Sequence, residues 1–127
     1  MSCAQRDTGR MGKQGQGLVF QPLRKTMNFY QTTKWRHLRE VILRRDCYQC
    51  QISKRYGKNV MAQNVHHIFP REEFPEYTYE PWNLISLCHD KHMEMHNATT
   101  GELSEAGIEL LRRTARKYNK AVPLRYQ

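Results

Sequence analysis

Val65-His66-His67-Ile68-Phe69-Pro70, Trp82-Asn83-Leu84-Ile85-Ser86-Leu87-Cys88 and His92-Met93-Glu94-Met95-His96 are the stretches of this 127-residue chain whose reading decides its fold. His92 and His96 are four residues apart, so on a helix both imidazoles share one face. Such a pair can grip one divalent metal, and a third ligand must then come from elsewhere. The adjacent His66 and His67 offer it. At a strand end, alternation points one toward the metal and its neighbour the other way. One histidine then holds the ion while the other stays free as a general base. That division of labour suits metal-assisted hydrolysis of a phosphodiester.

Working outward, the chain is long enough for one domain with flanking tails. Lys and Arg number 21 against 12 acids, a formal charge of +9, which favours an acidic polymer such as nucleic acid over a merely basic soluble protein. No apolar run is long enough to span a bilayer, and the N-terminus lacks the apolar core of a signal peptide, so a cytoplasmic setting without membrane contact is expected. Disulfides are rare there, and Cys47-Tyr48-Gln49-Cys50 reads as half of a zinc site.

Residues 1–27 are polar, Gly-rich and basic, without periodicity, and are expected to form a disordered arm. Order should start near Asn28 and run to residue 120, leaving 121–127 as a tail. Thr32 or Thr33 can cap a helix whose apolar stripe is Trp35, Leu38, Val41 and Ile42. Its other faces carry Lys34, Arg36, Arg39, Arg44 and Arg45, suited to tracking a nucleic-acid backbone. Val60 and Ala62, then Val65 to Ile68, read as a short hairpin turning at Gln63-Asn64, which Pro70 ends. Residues 71–81 read as a loop, and Trp82 to Leu87 as the lead into a helix through His96. Ser104 can cap a last helix with Ile108, Leu111 and Ala115 on one face.

Strand, strand, loop and helix, with histidines on the second strand and on the helix, resemble the ββα-metal (His-Me finger) core of the HNH endonucleases. Trp35-Arg36-x-x-Arg39, Leu43-Arg44-Arg45-Asp46 and Thr100-Gly101-Glu102-Leu103-Ser104 are similar to the short phage and prophage members, and the resemblance covers about Asn28 to Lys117. It implies an α+β fold with flanking N- and C-terminal helices and a Cys-based zinc knuckle, and a metal-dependent endonuclease acting on DNA. His67 would be the general base, and Asn83 the residue pinning the loop that orients it. His66, His92 and His96 would hold a divalent ion (zinc, nickel, manganese or magnesium). Three nitrogens disfavour magnesium unless more oxygen ligands join them. Terminase or other packaging proteins are partners implied by the resemblance alone.

The knuckle departs from the family pattern of two Cys-x-x-Cys pairs. The second is Cys88-His89-Asp90-Lys91, and an ammonium is no ligand. Cys47, Cys50 and Cys88 remain as donors of a structural zinc, Cys3 being remote. Either His89 or water completes the zinc, or the knuckle is vacant; an impaired site is the expectation. Two rivals stay open: a non-catalytic, zinc-stabilised nucleic-acid-binding module, and a degenerate HNH protein.

Overall fold

The computed structural model describes residues 28–127; the basic arm expected over 1–27, with Cys3, lies outside them. A 3-10 turn, Phe29–Gln31, opens the described chain, the Tyr30 amide donating to the Asn28 side chain. The Thr32 hydroxyl then accepts from the Trp35 amide at 3.3 Å and starts α1 (Thr33–Arg45), the capping that the sequence predicts. Trp35, Ile42 and Leu43 form the buried stripe with Leu38 half-buried against it, whereas Val41, expected there, is 45% exposed. Two turns of helix take about seven residues, so Ile42 falls in line with Trp35 and Val41 falls short of it. A tight turn follows, with Cys47 and Tyr48 both at positive φ, and leads into α2 (Gln51–Arg55).

The sheet is two-stranded: β1 (Asn64–His67) pairs antiparallel with β2 (Leu84–Leu87), placing His66 opposite Ile85 and His67 opposite Leu84. The expected hairpin over 59–69 is not what forms. Met61 makes an isolated bridge to Gln49, and the partner of β1 comes from the segment read as the lead into a helix. The histidines therefore lie on the first strand of the pair, and the loop falls between the strands. Leu84, Leu87 and Ser86 are buried, which suits a short strand covered on both faces.

The end of α1 is fastened to this sheet. The Arg45 guanidinium donates to the carbonyls of Pro81 and Leu84 at 2.9 and 2.8 Å. Asp46 accepts from the Ser86 amide at 3.1 Å. α3 (His89–Glu94) leaves the end of β2 and stops short of His96, which instead bridges to Leu103 across the turn 97–102. Ser104 caps α4 (Glu105–Tyr118) as expected, accepting from the Gly107 amide at 3.3 Å. That helix buries Leu110, Leu111, Thr114 and Ala115, with Ile108 half-buried beside them. Gly107 is where α4 meets the chain after α3: a Cβ there would run into the Met95 carbonyl.

The stretch expected as a tail is packed. Leu124–Tyr126 makes a 3-10 turn, and Tyr126, 9% exposed, joins the main core with Phe69, Leu87 and Leu111. Its hydroxyl donates to Glu73 at 2.5 Å, and Arg112 donates to its carbonyl at 2.8 Å. An apolar ring that late in the chain gains more by burial than its few residues lose in backbone freedom. The architecture is α+β, a ββα unit of β1, β2 and α3 flanked by α1 and α4. No described helix is long and apolar enough to cross a membrane.

Candidate metal and catalytic site

Neighbours on β1, His66 and His67 are both buried, 2% and 7% exposed, and alternation sends them to different surroundings. His66 faces α3 and the residues after it. Its ring centroid is 5.4 Å from that of His92 and 5.2 Å from that of His96, and one nitrogen from each of the three lies within 4.8 Å of the others. Among the described residues this is the one cluster of three or more side chains placed to share a metal.

The chemistry of the three rings fits an ion. His66 Nε2 is buried and has no hydrogen-bond partner among the described residues, a costly state for a polar nitrogen unless something ligates it. Burial, then the neighbouring His92 and His96, hold His66 well below the usual histidine pKa; burial and His96 lower His92 as well. Neutral imidazoles are the form that binds metals. His96 Nδ1 lies 3.3 Å from the Gly101 carbonyl, which can only accept, so the proton is assigned to Nδ1 and Nε2 keeps its lone pair. Gly101 itself has φ +80°, a backbone state that a side chain would strain.

On the other side, His67 stacks on Trp35 with centroids 4.9 Å apart and planes 24° from parallel. Its Nε2 is 3.1 Å from the Thr78 carbonyl, which likewise assigns the proton to Nε2 and leaves Nδ1 able to accept one. Burial moves the His67 pKa down, aided by the charge of Arg71 and opposed by the Thr78 hydrogen bond and by Glu72. Asn83, fully buried, builds the loop that carries Thr78. Its Oδ1 accepts from the Phe69 amide at 2.7 Å, while Nδ2 donates to the carbonyls of Phe69 and Tyr77, each at 3.2 Å. Amide and carbonyl in one side chain thus join the end of β1 to the residue before Thr78.

The four histidines line one open cavity of about 380 Å³, with Tyr30, Trp35, Arg39 and Arg71 on its walls. Of the arginines read from the sequence as backbone-tracking, Arg39 reaches this cavity, its Nη2 donating to the Gln63 carbonyl at 2.5 Å. Arg36 is exposed on α1, Arg44 pairs with Glu40 at 3.5 Å, and Arg45 is committed to the sheet. Arg71 went unread because a charged residue in a loop after Pro70 carries no periodic signal; the only cue was its closeness to His67 in sequence.

The cysteines do not come together in the same way. Cys50 and Cys88 are buried neighbours, whereas Cys47 is exposed. Burial pushes the Cys50 thiol up, but hydrogen bonds with Ser53 and Cys88 outweigh it and leave it below the usual thiol range. Among the described residues, Cys47, Cys50 and Cys88 form no cluster of metal-binding atoms, and Lys91 pairs with Glu94 at 3.5 Å.

No protein-family profile matches the chain, and no curated protein matches it. Among solved structures, it is similar to the crystal structure of the HNH endonuclease of the deep-sea thermophilic bacteriophage GVE2 with manganese ion. Identity is 26% and the TM-score 0.50, over 72% of this chain and 79% of that one.

Proposed function

We propose that the chain, an HNH-type protein with a ββα-metal fold, is a metal-dependent endonuclease that hydrolyses DNA phosphodiester bonds. The observation that carries this is the buried Nε2 of His66 between His92 and His96, unpartnered among the described residues, with His67 next on the same strand and turned to other surroundings. His66, His92 and His96 would hold the divalent ion, which when bound supplies charge stabilisation for the phosphate and the departing 3′ oxygen. His67 then takes the proton of the attacking water at Nδ1. The Thr78 carbonyl fixes its tautomer, the Trp35 ring fixes its plane, and Asn83 holds the loop to which Thr78 belongs. The formal charge of +9 supports a polyanionic substrate.

The manganese in the similar phage enzyme supports manganese as the first ion to try, ahead of zinc, nickel and magnesium. That enzyme's bacteriophage source supports a phage setting; partnership with terminase or packaging proteins rests on the family resemblance alone. Nicking of supercoiled plasmid is the direct test. Cleavage in manganese that EDTA abolishes is expected, and a protein that leaves plasmid intact under every divalent ion is not this enzyme.

A further inference from the structure

Arg71 enters the metal cavity as a cation with unused donors. It follows Pro70, shortly after β1, and lines the same cavity as His66, His67, His92 and His96. Its Nε is buried and makes no hydrogen bond among the described residues. The ion-pair partner found for it among the described residues is Glu72, at 3.7 Å with a side chain 78% exposed, a pair of little energetic consequence in water. What orients the guanidinium is aromatic: it lies over the Phe29 ring at 4.1 Å and over Tyr30 at 5.5 Å. A planar, permanently charged fork held against two rings, with no hydrogen bond from its N–H groups among the described residues, suits a tetrahedral oxyanion that can take two parallel hydrogen bonds.

We infer that Arg71 is a phosphate-binding residue, gripping the non-bridging oxygens of the phosphodiester that is cut. This rests on the nuclease reading for the identity of the diester, but not for the contact itself. Phe29 and Tyr30 act through it as a shelf that keeps the guanidinium aimed into the cavity. A lysine cannot reproduce the grip, because its ammonium is a point charge without the fork.

The experiment uses the full 127-residue chain with Arg71→Gln and Arg71→Lys, each checked for an unchanged thermal melt. Fluorescence anisotropy of a short DNA duplex in EDTA reads the contact without cleavage. Arg71→Gln should weaken binding by roughly tenfold and lower the salt slope by about one, with Arg71→Lys restoring the slope but only part of the affinity. In manganese, turnover of bis(p-nitrophenyl) phosphate, which has a single diester, should fall by roughly 10²-fold in kcat/KM for Arg71→Gln. Unchanged affinity and salt slope would overturn the assignment. So would a variant that cuts the minimal diester at the wild-type rate, since Arg71 would then touch a flanking phosphate or none. Wild-type protein that binds DNA through Arg71 yet cuts nothing sinks the nuclease reading and leaves the phosphate contact standing.

Discussion

Two adjacent histidines lie in different surroundings because β1 turns their side chains apart, and the roles proposed for them can be separated experimentally. His67→Ala removes the proposed base but none of the three clustered rings, so nicking should fall by roughly 10²–10⁴-fold while manganese affinity stays near wild type. His67→Gln, which keeps most of the packing on Trp35, guards against a folding defect. Near-normal nicking by both would end the base assignment. His92→Ala should do the reverse and lose ion binding and cleavage together, because two imidazoles remain of three. Isothermal titration with manganese decides it, and an unchanged affinity places the ion elsewhere. The clustering of His66, His92 and His96 was legible from residue type and spacing, whereas the roles proposed for His67 and Asn83 came with the family resemblance. The Thr78 carbonyl and the Trp35 ring could not be read from the sequence, since a backbone acceptor leaves no mark in a sequence and Trp35 reads as ordinary core.

At the level of elements, both flanking helices were legible from their caps and stripes, whereas the strands were misassigned. Val60 and Ala62 alternate convincingly, but β1 pairs with a segment beyond the whole of 68–83, and pairing at that separation has no local signature. The run Leu84-Ile85-Ser86-Leu87 is too short for periodicity to tell a strand from a buried helical turn. Where α4 abuts the chain after α3, the structure makes a prediction that runs against helix propensity. Gly107→Ala would ordinarily stabilise a helix by up to about 1 kcal/mol. Here the added methyl has nowhere to go but into the Met95 carbonyl. The variant should melt below wild type and bind manganese more weakly, because His96 follows Met95 directly. A raised melting temperature would show that α4 has room to shift.

Across the whole molecule, the buried histidines couple folding to pH. Burial lowers the folded-state pKa of His66, His92 and His67, so the unfolded chain, whose histidines titrate near 6.5, takes up protons that the folded chain refuses. Stability of the metal-free protein is therefore complete above about pH 6.5 and declines as the pH falls below it, until the depressed folded-state values are reached. Thermal melts in EDTA from pH 8 down to 5 check the sign. A melting temperature that stays level or climbs on acidification would mean that these rings are already charged in the folded state. With manganese present the decline should steepen, since protons and the ion compete for the same nitrogens.

The burial of Tyr126 also governs how the chain should be handled. Its ring is wedged in the main core and its hydroxyl reaches Glu73, at the head of the loop whose Thr78 carbonyl sets the His67 tautomer. A purification handle or fusion partner joined after Gln127 is thus attached to a lever on the loop that carries Thr78. One placed ahead of Met1 is separated from the described core by 27 residues. Recombinant protein for nuclease assays belongs on an N-terminal fusion, and activity missing from a C-terminal one reports on the handle before it reports on the proposed function.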